Sequence, residues 1–239
     1  MNVSFFATCI CDALSTEVAK QTVLLLEQLG CRVHFPVRQT CCGQPAINSG
    51  YASQSLAAIK VQIAALEEND FPLICPAGSC TAMIHGYPKL LQDEPAWQQR
   101  AQDLSDRTFE LTQFLVHHLD TSQLNAKLEG IGVYHPSCSL SRKLGIKEEP
   151  IILLKQVGGL TLAPFPNQET CCGFGGTFSV KMAEISGAMV TEKAEHIQSV
   201  TPDFLIGADA SCLMNIGGRL RREGSTIRVM HIAEVLMSR

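Results

Sequence analysis

The 239-residue chain has 19 basic and 23 acidic residues, a net charge of −4, and an apolar fraction of 46% against 18% charged. This composition describes a chain with a core to bury, not a disordered one. It lacks the positive excess needed to neutralise phosphates, so neither nucleic acid nor an anionic membrane surface is an expected partner. No stretch approaches the roughly 20 apolar residues of a membrane helix, and Met1–Ile10 lacks the basic start and apolar run of a secretion signal. A cytoplasmic location without membrane insertion is expected.

Val3–Ala7, apolar and aromatic, reads as a buried strand. Ser15–Leu29 has helical spacing in Val18, Val23, Leu25, Leu26 and Leu29, with Ser15 as candidate N-cap. The short run Arg32–Phe35 follows, then the loop Cys41-Cys42-Gly43, a helix near Ser53–Glu68 and a strand at Pro72–Cys75. Thr108–Glu110 suggests a fourth strand. From Ile131 the order starts again: strand Ile131–Tyr134, helix Lys147–Val157, run Leu160–Ala163, loop Cys171-Cys172-Gly173, helix Phe178–Gln198, strand Phe204–Ile206 and a short strand at Val229–Met230.

The repetition is internal and specific. Cys41-Cys42-Gly43 returns 130 positions later as Cys171-Cys172-Gly173, and Cys9 returns 129 positions later as Cys138. Ile74-Cys-Pro-Ala-Gly-Ser-Cys80 returns as Ile206-Gly-Ala-Asp-Ala-Ser-Cys212. The first copy carries about eleven additional residues between Thr81 and Arg107, rich in Pro, Gln and Asp, which read as a surface excursion. Strands alternating with helices imply α/β architecture with parallel sheets covered on both faces. Two pseudo-repeated halves are expected, residues 1–128 and 129–239, with cysteine loops at the carboxyl ends of the strands, where such sheets bind ligands.

Eight of the eleven cysteines fall in the repeat. In a reducing compartment, cysteine clusters bind metal or do redox chemistry more often than they form disulfides. Adjacent cysteines suit a single zinc poorly, because zinc pairs usually stand two to four residues apart. They suit a larger body held by four thiolates, an iron–sulfur cluster. The expected ligands are Cys9, Cys41, Cys42 and Cys80 in one half and Cys138, Cys171, Cys172 and Cys212 in the other. Gly43 and Gly173 are expected to turn the backbone close to the cluster, so that successive N–H groups donate to its sulfurs. The glycine-rich Cys172-Gly173-Phe174-Gly175-Gly176-Thr177 also admits a nucleotide-phosphate reading, although the spacing G-x-G-x-x-G is absent.

Cys31 and Cys75 read as buried thiols at strand ends, while Cys11, two residues from Cys9, is a competing ligand candidate. His135 has no counterpart in the first half, where Phe6 stands; it reads as a structural histidine or as a tuning group beside Cys138. His117 and His118 suit a helix end. Met182 and Met189 read as core, and Arg219, Arg221 and Arg222 as a solvated helix end or a docking patch. Nucleophilic catalysis needs one thiolate with a base beside it, and no histidine is duplicated with the cysteines.

Thr8-Cys9, Cys41-Cys-Gly-Gln-Pro-Ala46, Pro76-Ala-Gly-Ser-Cys80, His135-Pro-Ser-Cys138 and Cys171-Cys-Gly-Phe-Gly-Gly-Thr-Phe-Ser179 resemble the CCG cysteine-rich domain family. That family includes one of the heterodisulfide reductase subunits and the iron–sulfur subunits of glycolate and lactate oxidation systems. Over essentially the whole chain the sequence is similar to its LutA/YkgE group, lactate utilisation protein A. The resemblance implies an iron–sulfur subunit of an L-lactate oxidation complex, passing on electrons beside a second iron–sulfur protein and a third small subunit. A disulfide-reductase-type subunit and a glycolate-oxidase-like subunit are the alternatives it carries. The fullest family motif ends in Cys-x-x-Cys, and Ala77 and Asp209 replace the earlier cysteine here. An ordinary 4Fe-4S cluster in each half is therefore expected in place of a five-cysteine one. Asp209 reads either as an oxygen ligand or as a helix cap.

Overall fold

The computed structural model describes residues 1–239 as two four-stranded, all-parallel sheets. In the first, β1 (Asn2–Phe5), β2 (Arg32–His34), β3 (Leu73–Cys75) and β4 (Thr108–Glu110) lie in the order β2-β1-β3-β4. In the second, β5 (Lys127–His135), β6 (Gly158–Leu162), β7 (Phe204–Gly207) and β8 (Arg228–His231) lie in the order β6-β5-β7-β8. The path is the same twice, which makes this a two-half α/β fold. Leu73, Ile74 and Cys75 of β3 and all four residues of β7 are buried, as befits strands covered on both faces.

The helices of the first half are α1 (Cys9–Ala13), α2 (Thr16–Gln28), α3 (Gln44–Asn48), α4 (Ala52–Leu66), α5 (Gly78–His85), α6 (Tyr87–Leu90), α7 (Pro95–Asp106) and α8 (Leu111–His118). The second half has α9 (Glu148–Leu154), α10 (Phe178–Lys181), α11 (Ala183–Gln198), α12 (Ala210–Arg222) and α13 (Ile232–Leu236), with a π-helical turn at Ser139–Lys143. The long helices follow their apolar spacing: α4 buries Ile59, Gln62, Ile63 and Leu66, and α11 buries Val190, Lys193, Ala194 and Ile197. These two sets stand 131 positions apart, so they align one to one.

The halves do not fold around separate cores alone. The largest apolar cluster, 23 buried residues, draws Val3, Leu25, Leu26, Ile74 and Phe114 from one half and Leu153, Ile206, Ile232 and Leu236 from the other. The closing helix of each half packs on the opening helix of the other, α13 on α2 and α8 on α9. Around the same pseudo-twofold axis α1 packs on α12, and α5 on the Ser139–Lys143 turn. A Cβ added at Gly78 would lie 2.9 Å from Leu140 Cβ and 3.0 Å from its Cα, so only glycine admits that second crossing.

Three expectations are corrected. Residues 81–107 are not a surface excursion: they are helical, and Tyr87, Leu91, Ala101 and Leu104 are buried in the first half's core. The Phe178–Gln198 helix breaks at Met182, whose φ of −122° and ψ of 49° leave the helical region. Met182 itself, at this junction, is 46% exposed and not core.

Candidate metal centres

The carboxyl ends of β1, β2 and β3 deliver the first group of thiols. Cys9 opens α1 directly after β1, Cys41 and Cys42 lie between β2 and α3, and Cys80 sits in the first turn of α5 after β3. The sulfurs form a chain. Cys9 Sγ donates to Cys41 Sγ at 3.7 Å, and Cys42 Sγ donates to Cys80 Sγ at 3.4 Å. Cys42 also lies beside Cys41, which joins the two pairs. With Cys42, Cys9 and the Gly43 N–H all turned towards it, the Cys41 thiol falls to about 2, far below the ordinary thiol range. Its neighbours Cys9 and Cys42 are pushed up, because losing their protons would break the contacts they make with neighbouring sulfurs.

The second group repeats the pattern. Cys171 falls to about 2, through donation from Cys138, then Cys172, and from the Gly173 N–H, which lies 3.4 Å from its sulfur. Cys172 and Cys212 are buried and lie, with a ring nitrogen of His135, within 4.8 Å of one another. Each half thus gathers four thiols at one sheet edge, and the deprotonated form is favoured most at Cys41 in the first and at Cys171 in the second.

The Cys-Cys-Gly loops are shaped alike. Gly43 and Gly173 have φ of +86° and +81°, the left-handed region that favours glycine. At Gly173 the constraint is also spatial: a Cβ there would come within 2.9 Å of Ser186 O. The two loops touch across the halves, where Ser49 and Thr177 share a hydroxyl hydrogen bond and Gly176 rests on Pro45. Behind the loops each middle cysteine is anchored through its carbonyl. Tyr87 Oη donates to Cys42 O and Asn215 Nδ2 to Cys172 O, both at 2.8 Å.

Asp209 is a cap. Its Oδ1 accepts from Ser211 N and Ser211 Oγ at the start of α12, and its Oδ2 accepts from Ser79 N at the start of α5. Ala77, its counterpart, bridges to it in antiparallel fashion and has no side chain to cap with. One buried carboxylate thus caps the helices carrying both Cys80 and Cys212, with both oxygens used. Cys11 packs against Val18 and Ala210, and burial pushes its thiol up to about 11. Cys31 is buried in the shared core, and Cys75 lies beside Cys80 and donates to Ala77 O at 3.5 Å. His117 pairs with Glu149 at 3.1 Å and His118 stacks on Phe114, both away from the thiols. Arg219 pairs with Glu223 along its own helix.

The roles of Tyr87, Asn215 and Lys193 escape sequence reasoning. The burial alignment of Lys193 with Gln62 needs the helix phase, and Tyr87 lies in the segment without a repeat. The donor set itself is soft: four sulfurs per group with the glycine N–H groups directed at them, and the Asp209 carboxylate already taken up as a cap. That chemistry fits an iron–sulfur cluster and suits hard, oxygen-seeking cations poorly.

Twin groups of converging thiols at the carboxyl ends of parallel strands, set about a pseudo-twofold axis, define a duplicated thiolate-site α/β protein. The cysteine-rich domain called CCG matches the chain twice, at residues 3–85 and 133–217. The chain belongs to this family. Over the full length of both chains it is 61% identical to the protein YkgE of Escherichia coli K12. It is likewise 55% identical to lactate utilization protein A of Geobacillus sp. WCH70 and 52% identical to that of Anoxybacillus flavithermus.

Proposed function

We propose that this protein is an iron–sulfur electron-transfer subunit of a cytoplasmic L-lactate oxidation system, working beside a second iron–sulfur protein and a third small subunit. The observation that carries the reading is the gathering of eight thiols into two groups of four at the carboxyl ends of the strands. Cys9, Cys41, Cys42 and Cys80 would hold one 4Fe-4S cluster, and Cys138, Cys171, Cys172 and Cys212 the other. Such clusters accept and pass on single electrons. The chain's own residues fix the thiol positions through Asp209, Tyr87 and Asn215, direct the Gly43 and Gly173 N–H groups at sulfur, and bury Cys42, Cys80, Cys172 and Cys212 away from water. No helix is long and apolar enough to cross a membrane. The lactate assignment draws on the full-length relatives named lactate utilization protein A.

The test is iron and acid-labile sulfide per chain after anaerobic purification. About eight of each are expected, the content of two four-iron clusters, falling by about half in Cys41→Ala or Cys171→Ala. Zinc without sulfide would overturn the reading. A disulfide-reducing role is favoured by one feature, a cavity of about 280 Å³ that opens onto the exposed Cys9 and onto Cys41. Turnover of a small disulfide by the isolated chain, with a reduced dye as donor, would select that role.

A further inference from the structure

The two thiol groups match in their cysteines and differ in what surrounds them. His135 closes β5 and is 1% exposed, yet neither ring nitrogen has a hydrogen-bond partner in the protein. Buried polar atoms without partners are uncommon. This ring stands with the sulfurs of Cys172 and Cys212 inside 4.8 Å, so it is aimed at what those sulfurs hold. An imidazole in either charge state carries at least one N–H. At the corresponding place in the first half stands Phe6, fully buried and unable to donate.

A second difference points the same way. Lys193 of α11 is fully buried, and its Nζ donates to Asn167 O at 2.9 Å and Gln168 O at 3.0 Å, bracing the chain that leads into Cys171. Gln62 of α4 occupies the matching position and braces the approach to Cys41 by accepting from Thr40 N and Thr40 Oγ1. The mechanical task is shared, but one brace is cationic and the other neutral. The first half's own additional neighbour, Cys75, is uncharged and commits its thiol hydrogen to Ala77 O.

We infer that the second site holds its cluster at the higher reduction potential of the two, through an N–H hydrogen bond from His135 and the buried charge of Lys193. The inference rests on the cluster reading above. Reduction adds negative charge to a cluster. A donated hydrogen bond and a nearby buried cation both favour that charge, as outer groups do in tuned metal sites.

The experiment is a redox titration followed by electron paramagnetic resonance, on wild type and on variants that install the first half's residues, His135→Phe and Lys193→Gln. Two waves are expected, with the higher one absent from Cys171→Ala and the lower one absent from Cys41→Ala. In His135→Phe and in Lys193→Gln the higher wave moves down while iron content and the lower wave stay as they were. His135→Gln, which keeps an N–H donor, retains part of the shift. In protein labelled with nitrogen-15 histidine, pulsed resonance shows a weak nitrogen coupling on the second cluster only, and His135→Phe abolishes it. Full iron and sulfide with unmoved waves and no coupling would overturn this inference and leave the electron-transfer reading standing. So would a higher wave belonging to the first half, while a strong coupling from a directly bound ring would overturn the donor role. Absence of iron and sulfide from the wild type would defeat both readings together.

Discussion

In the first half the carbonyl of the middle cysteine is held by Tyr87; in the second, the same carbonyl is held by Asn215. The helix that delivers the last cysteine is capped by its own Asp209 in the second half, and by that same residue, reaching across, in the first. The N-cap of the closing helix is Glu110 in one half and His231 in the other. The positions of the thiols have been kept while the atoms that hold them have been exchanged. What the duplicated fold preserves is therefore the placement of four sulfurs at a sheet edge. The supporting contacts are free to differ wherever another group reaches the same backbone atom.

Asp209 tests this comparison most severely, because both halves depend on it. An N-cap contributes about 0.5–2 kcal/mol, and this carboxylate caps two helices from a buried position. Asp209→Ala is expected to lower stability by about 2–4 kcal/mol in urea unfolding, since each helix loses its cap and a buried N–H is left unpaired. Ala77→Asp, which makes the two halves alike, should also destabilise, because it sets a second carboxylate against the first across the Ala77–Asp209 bridge. A more stable Ala77→Asp variant would show that the shared cap is not why the halves differ here.

Glu110 and His231 sharpen the comparison through pH. Burial raises Glu110 from 4.5 to about 7, and burial lowers His231 from 6.5 to about 4. Folded Glu110 keeps a proton that the unfolded chain has released, so its contribution is complete below about pH 4.5 and is lost as pH rises through about 7. Folded His231 refuses a proton that the unfolded chain takes up, so its contribution is complete above about pH 6.5 and is lost as pH falls through about 4. Between those limits the two slopes oppose each other and nearly cancel. Glu110→Gln should therefore gain about 2 kcal/mol of stability from about pH 5 to about pH 6.5, and His231→Asn should lose about the same over that range. Urea midpoints measured across this range check both signs; two variants with slopes of one sign would refute the pairing.

Much of this was open to a reader of the chain alone, and the reason is periodicity. The duplicated cysteine spacing, the strand runs ending just ahead of it and the apolar phase of α2 and α4 belong to local patterns that survive without coordinates. Beyond reach were the contacts that join distant segments. That Asp209 serves Ser79 as well as Ser211 depends on the halves facing each other about an axis, and nothing around Ser79 announces a cap 130 positions away. Residues 81–107 misled because Pro, Gln and Asp suggest a loop, whereas Pro95 opens a helix at its first turn, where proline is welcome. Nothing near Lys193 in the chain announces its burial, which becomes visible only when α11 is phased against α4.

The misread segment supplies the gentlest test. In the second half, Asn215 stands on the same helix as Cys212 and reaches back to Cys172 O. Its counterpart in the first half is Met83, which has no donor, and the carbonyl of Cys42 is served by Tyr87 from the inserted helix α6. If the insertion replaces what Asn215 does, Tyr87→Phe and Asn215→Ala should each cost about 1 kcal/mol, the net worth of one hydrogen bond. Met83→Asn should then restore stability to the Tyr87→Phe chain by bringing the second half's solution into the first. Denaturation of the three chains side by side decides the matter. Recovery in the double variant makes Tyr87 and Asn215 two answers to one backbone carbonyl, whereas a Tyr87→Phe chain as stable as wild type would mean that the Cys42 carbonyl is held without α6.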